Sequence, residues 1–130
     1  RFDQKTWQKN WETYMPKTDH VYGSSLGPSF HAWAACEMGL PEEAYEHFML
    51  AARADLRNPR GNAGDGIHAA SAGGVWQALA FGFAGLRLTE DGYTLNPRLP
   101  SHWRRLSFDF YLQGEKHTVD IRNSQSLARR

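Results

Sequence analysis

Between Ile67 and Ala84 the only polar side chains are His68, Ser71 and Gln77. A helix made from this stretch has no polar face to turn towards water, so it must be enclosed. Lipid is not the enclosure, because the longest wholly apolar run, Ala78 to Leu86, falls far short of the roughly 20 residues that cross a bilayer. The chain has 130 residues, enough for one sizeable core but too few to wrap such a helix on every side. Part of its surroundings is therefore expected outside the sequence. The ends point the same way: the chain opens at Arg1, directly in a helical pattern, and closes on Arg129-Arg130 shortly after a strand, as a piece of something larger would.

Helix is expected to dominate up to Ala84. Val and Ile number only 3 and 2 against 15 Ala and 12 Leu, and most of the Ala precede residue 85, a composition that favours helix over strand. Phe2, Trp7, Trp11 and Tyr14 recur close to one helical face until Pro16 ends the element. Pro28 suits a first helical turn, and Phe30, Ala34 and Met38 continue as one face until Gly39. Pro41-Glu42-Glu43 then opens a helix burying Tyr45, Phe48, Met49, Ala52 and Leu56, its acids placed where the N-terminal dipole favours them. The short Gly39-Leu40 link makes these two helices an antiparallel pair. Asn58 to Gly66 consists of turn formers and has no hydrophobic residue larger than Ala, so it reads as a loop.

Beyond Gly85 the period changes to two. Leu86 and Leu88 face Tyr93 and Leu95 across Glu90-Asp91-Gly92, and Leu106, Phe108, Phe110 and Leu112 alternate with polar neighbours before Gly114 turns the chain into Val119 and Ile121. Four strands in two hairpins are expected. The division is residues 1–85, helical, and 86–130, part of a β-domain.

Fifteen Lys and Arg balance 14 Asp and Glu, a net charge of +1, and they form no basic stripe. Neither nucleic acid nor a membrane is expected as a partner. Cys36 stands alone, so no disulfide forms within the chain; this fits a reducing compartment, and the expected location is cytoplasmic. His20, His31, Cys36 and His47 lack the close spacing of zinc ligands, and no metal is expected. Gly61 to Gly66 spells G-x-x-G-x-G, which matches neither the dinucleotide fingerprint nor the Walker loop. Gly-x-Ser-x-Gly is absent. Trp7, Trp11, Trp33 and Trp76 fall on helix patterns and read as core packing.

Two polar loops each run straight into an apolar helix: Gly23-Ser24-Ser25-Leu26-Gly27-Pro28 and Gly64-Asp65-Gly66-Ile67-His68. Free N–H groups and partial positive charge at a helix start attract phosphate or carboxylate, and small residues let an anion approach the backbone. The plainer alternative is that Ser24 or Ser25 only caps a helix and His68 is a hydrogen-bonded core histidine. Gly73-Gly74 adds a further signal. Two glycines inside a helix cost about 1 kcal/mol each relative to Ala, so a neighbouring helix or a ligand is expected close to the backbone there.

The segments GSSLGPSFHAWAACEMG (Gly23 to Gly39), EEAYEHFMLAARADL (Glu42 to Leu56), DGIHAASAGGVWQALAFGFAGLRL (Asp65 to Leu88) and LNPRLPSHWRRLSFDFYLQGEKHTVDI (Leu95 to Ile121), in this order, resemble the C-terminal part of glycoside hydrolase family 65. That family contains inverting phosphorylases of maltose, trehalose, kojibiose and nigerose. The resemblance implies the last helices of an (α/α)6 barrel followed by strands of a small β-sandwich-like domain. It also implies inverting phosphorolysis of an α-linked glucose disaccharide to β-glucose 1-phosphate, with inorganic phosphate as co-substrate and no other cofactor.

By the same resemblance Ser24, Ser25 and His68 bind phosphate, with Gly66 a weaker candidate; Gly73, Gly74 and Asp65 are weaker candidates on the residues alone. The general acid has no counterpart here, so the segment alone should be inactive. The implied partners are the disaccharide, phosphate, the rest of the catalytic domain and a second copy of the protein. Where the family commonly has Ser-Leu-Ser-Pro, this chain reads Ser25-Leu26-Gly27-Pro28. An inverting hydrolase, with a carboxylate activating water, is the alternative within the family, and Asp65 is the only acid in the Gly-Ile-His loop. A non-catalytic interaction module is the alternative outside it. For phosphorolysis Asp65 should point away from the anion and cap the helix that carries His68.

Overall fold

The computed structural model describes residues 3–19 and 23–123; Phe2, His20 and the residues beyond 123 lie outside the described residues. Helix α1 (Gln4–Tyr14) opens on Asp3, whose carboxylate accepts the Thr6 N–H at 2.8 Å, and passes into a 3-10 turn at Met15–Lys17 that holds Pro16. Helices α2 (Gly27–Glu37) and α3 (Pro41–Ala52) follow, joined through Gly39, whose φ of 76° lets the chain reverse. A short α4 (Ala54–Arg57) ends at Asn58 in the left-handed conformation, and the loop after it contains a 3-10 turn, Ala63–Asp65. Helix α5 (Ala69–Gln77) continues into a π-helical segment, Ala78–Phe83.

Two antiparallel hairpins complete the chain. Strands β1 (Arg87–Thr89) and β2 (Gly92–Thr94) pair Leu88 with Tyr93, and β3 (Arg105–Leu112) pairs with β4 (Glu115–Arg122) from Leu112↔Glu115 back to Arg105↔Arg122. The β3–β4 turn is Gln113-Gly114, both at positive φ (53° and 86°), the backbone that matches the twist of the flanking strands. The fold is mostly helical with two small antiparallel sheets.

The helical and strand portions share one core. Phe83, fully buried, lies 5.5 Å ring to ring from Phe48 and 4.7 Å from Trp103, and Leu106 of β3 joins them. Arg98 N–H donates to Phe83 C=O at 2.8 Å, and Ser101 N–H donates to the Glu42 carboxylate at 2.7 Å, so the segment before β3 is tied to both the π-helical segment and α3.

Four expectations about faces are corrected, wholly or in part. On α2 the buried face is Ser29, Ala32, Ala35 and Cys36, whereas Phe30 is 47% exposed. Nearly every side chain of this helix is small or apolar, so its pattern carries no direction. On α3 the expected Tyr45, Phe48, Met49 and Ala52 do pack in or against the core, beside the buried Ala44, His47 and Ala51, whereas Leu56 falls on α4, 85% exposed. Of the tryptophans placed on helices, Trp11 packs against the core and, with Trp7 and Trp33, lines an apolar groove of about 490 Å³ between α1 and α2, whereas Trp76 is 44% exposed. The stretch Ile67–Ala84 is enclosed chiefly in its second half, with Ser71 and Gly74 buried in the first. Ala78, Ala80, Gly82, Phe83 and Ala84 are buried, whereas Ile67, Ala69, Ala70, Ala72, Gly73 and Trp76 face outwards.

Candidate anion site at the head of helix α5

The contacts between α2 and the α5–π helix fix where the two loops lie. Gly74 meets Leu26 and Ser29, and Gly82 meets Trp33 and Cys36. Contacts advance in the same direction along both helices, so the two run parallel and their N-terminal ends lie at the same end of the molecule. The Ser24-Ser25 loop and His68 therefore share that end. No hydrogen bond joins them among the described residues.

His68 is the residue before α5. Its Nδ1 lies 2.5 Å from Asp55 Oδ1, and its backbone N–H donates to the same carboxylate, 3.0 Å from Oδ2. A carboxylate on Nδ1 fixes the proton on that nitrogen, and His68 in turn holds the Asp55 carboxyl below its ordinary value, chiefly through this hydrogen bond. On the other side of the ring, Asn62 Nδ2 lies 3.3 Å from His68 Nε2. Asn58 braces the loop, its Oδ1 accepting the Ala63 N–H at 2.9 Å, and Gly66 at φ 127° bends the chain into Ile67 with a backbone that a side chain would strain. Among the described residues the N–H groups of Ala70 and Ser71 in the first turn of α5 have no acceptor. They are the orphan donors a helix start offers to an anion.

Ser24 Oγ accepts the Leu26 N–H at 3.3 Å and Ser24 C=O accepts the Gly27 N–H at 3.0 Å, so Ser24 closes the turn into α2. Ser25 is half-buried, with no hydrogen-bond partner for its hydroxyl among the described residues. The two glycines of α5 separate. Gly74 is where α2 comes close: a Cβ there would lie 2.8 Å from Ser29 Cβ and overlap Ser29 Oγ. Gly73 is exposed with nothing within 4 Å. The expectation of a close neighbour thus holds for Gly74, a packing glycine, and fails within this chain for Gly73.

The expected role of Asp65 is corrected as well. Asp65 is exposed, and no side chain within its own loop caps α5; the carboxylate at the helix start is Asp55, thirteen residues before His68. Loop geometry explains the exchange, since Asp65 is left exposed at the end of the 3-10 turn while α4 holds Asp55 against His68. Asp55 and Asn62 were not legible as site residues. Asp55 lies in a short helical run, Asn62 reads as one more turn former, and neither bears a short-range spacing to His68. No three His, Cys, Asp or Glu are grouped to hold a metal among the described residues, and no described helix is long and apolar enough to cross a membrane.

Comparison with known proteins gives this geometry its family. The model of the glycosyl hydrolase family 65 central catalytic domain matches residues 1–77, and that of the family's C-terminal domain matches residues 86–127. The chain belongs to glycosyl hydrolase family 65. It is 40% identical over 121 residues to kojibiose phosphorylase of Caldanaerobacter subterraneus subsp. tengcongensis, covering 92% of this chain and 15% of that protein. It is also 40% identical over 121 residues to α,α-trehalose phosphorylase of Thermoanaerobacter brockii (93% and 15%). Maltose phosphorylase of Bacillus subtilis is 38% identical over 121 residues (93% and 16%). A solved structure assigned as a kojibiose phosphorylase from the human microbiome superposes with a TM-score of 0.81 at 32% identity, over 93% of this family 65 chain and 18% of its own. The chain thus spans about 15% of the length of the curated relatives it matches.

Proposed function

We propose that this family 65 chain is the phosphate-binding portion of an inverting disaccharide phosphorylase. In this reading residues 1–85 contribute the last helices of an (α/α)6 barrel and residues 86–130 part of a β-sandwich-like domain. The observation that carries the reading is the head of α5, where His68, held by Asp55, stands beside the free N–H groups of the first turn. An anion there gains hydrogen bonds from the helix start and from an imidazole, each stronger for a charged acceptor. The Ser24 and Ser25 hydroxyls lie at the same end of the molecule, and the matched relatives named as phosphorylases supply the substrate class.

Phosphate is already anionic and needs no general base. It attacks the anomeric carbon as the C–O bond to the leaving sugar breaks, and an acid outside this chain gives its proton to the glycosidic oxygen. Configuration inverts and β-glucose 1-phosphate is released. The outward-facing Ile67 (79% exposed) and Trp76 suit contact with the rest of the barrel, and association with a second copy belongs to the same proposal.

The test incubates the full-length enzyme that carries this chain with kojibiose, trehalose or maltose, with and without inorganic phosphate. β-Glucose 1-phosphate formed only with phosphate is the expected result; free glucose at equal rates in both would make the protein a hydrolase. Replacing His68 by Ala, or Ser24 and Ser25 together by Ala, should weaken phosphate-dependent turnover by about tenfold or more, the range for losing a hydrogen bond to a charged group.

A further inference from the structure

We infer that Asp55 and Asn62 act with His68 as one unit: Asp55 is the positioning residue that fixes the imidazole, and Asn62 is a second anion-binding side chain that occupies Nε2 until phosphate arrives. The inference rests on the phosphate reading above and deepens it by assigning two residues that the sequence did not single out.

Asp55 grips His68 at two points, the ring Nδ1 at 2.5 Å and the backbone N–H at 3.0 Å. The backbone contact anchors the start of α5 on Asp55, and the ring contact, together with Asn62 at Nε2, sets the plane of the imidazole. With Nδ1–H committed to a carboxylate, all variable chemistry falls on Nε2. Bare Nε2 accepts from Asn62 Nδ2, the contact present at 3.3 Å; protonated Nε2 becomes a donor aimed at whatever replaces that contact.

Asn62 is built for the exchange. Its Oδ1 is buried with no hydrogen-bond partner, a costly condition for an amide oxygen. Rotation about Cβ–Cγ would bring that oxygen onto a protonated Nε2, so one side chain matches both protonation states of the ring. An anion entering between the two groups accepts from imidazolium Nε2–H and from the Asn62 NH₂. The Asp55 carboxylate lies on the far edge of the ring from Asn62, so it orients the ring without confronting the anion.

The experiment measures phosphorolysis by the full-length enzyme, using whichever of kojibiose, trehalose and maltose it turns over, and determines KM for inorganic phosphate and for the sugar separately. Asp55→Asn and Asn62→Ala are each expected to raise the phosphate KM about tenfold or more with the sugar KM unchanged, and Asp55→Glu to recover part of the loss. A folded Asp55→Asn or Asn62→Ala enzyme with the wild-type phosphate KM overturns the inference, as does an equal rise in both KM values. Should Asp55→Asn fail to fold, the phosphate KM of Asn62→Ala and of Asp55→Glu decides in the same way. His68→Ala separates the two levels: wild-type phosphate dependence in that variant defeats the phosphate reading itself. A raised phosphate KM in His68→Ala, with none in the Asp55 and Asn62 variants, defeats only the inference.

Discussion

Replacing Gly74 by Ala puts a methyl group into the seam between α5 and α2, where its Cβ would lie 2.8 Å from Ser29 Cβ and 3.0 Å from Leu26 Cδ1 and overlap Ser29 Oγ. Ser29 is buried and its hydroxyl donates to Leu26 C=O at 2.8 Å. The seam has two ways to yield. The helices move apart, an overpacking cost of about 1–3 kcal/mol, or Ser29 turns away and loses a hydrogen bond of about 0.5–1.5 kcal/mol. Against either stands the better helix propensity of Ala, about 1 kcal/mol. Because the Ser29 Cβ cannot turn away with its hydroxyl, the first cost dominates and Gly74→Ala is expected to destabilise by up to about 2 kcal/mol after the propensity gain. At Gly73, exposed with nothing within 4 Å, the same change should stabilise by about 0.4–1 kcal/mol. Urea midpoints of the 130-residue chain at one protein concentration measure both. Opposite signs at adjacent residues are expected, and Ser29→Gly in the Gly74→Ala background should recover part of the loss by opening the seam. Equal signs, or a Gly74→Ala chain more stable than wild type, would refute the packing argument. In the full-length enzyme a loss at Gly73 in place of the gain would mean that another segment or a ligand covers that face.

Glu42 is held below its ordinary value of 4.5, chiefly by the Ser101 N–H. A depressed folded-state pKa means that the contribution is complete above about 4.5 and drains as pH falls below it. Because Glu42 is exposed, Glu42→Gln should cost less than about 1 kcal/mol at pH 7; the gap from wild type, read as urea midpoints, should narrow as pH falls below about 4.5, and a constant gap would count against it. Cys36 is 1% exposed, and burial pushes its thiol up to about 12 despite the pull of Arg98 and Arg87. Alkylation at pH 8 should therefore proceed no faster than unfolding, and rapid labelling of the native chain would contradict this burial.

Local chemistry was legible where it is decided within a few residues. Pro16, Pro28, Gly39 and Pro41 mark element ends because φ restriction and its absence act at the residue itself, and the β3 alternation with Gly114 specifies its hairpin. The Gly-Ile-His and Ser-Ser segments identified the family for a similar reason, since contiguous strings carry their own register. What the sequence left open is direction. In α2, where small and apolar residues occur all round, only contact with α3 and the π-helical segment selects Ala32, Ala35 and Cys36 over Phe30 and Met38. Gly73 and Gly74 are identical in sequence, and a rotation of 100° about the helix axis puts one against Ser29 and the other in the open. Asp65 and Asp55 were equally available as acids, and the choice fell to Asp55 because α4 packs it against His68. A hydrogen bond across thirteen residues depends on how the chain returns, and that is decided by tertiary packing rather than by any local pattern.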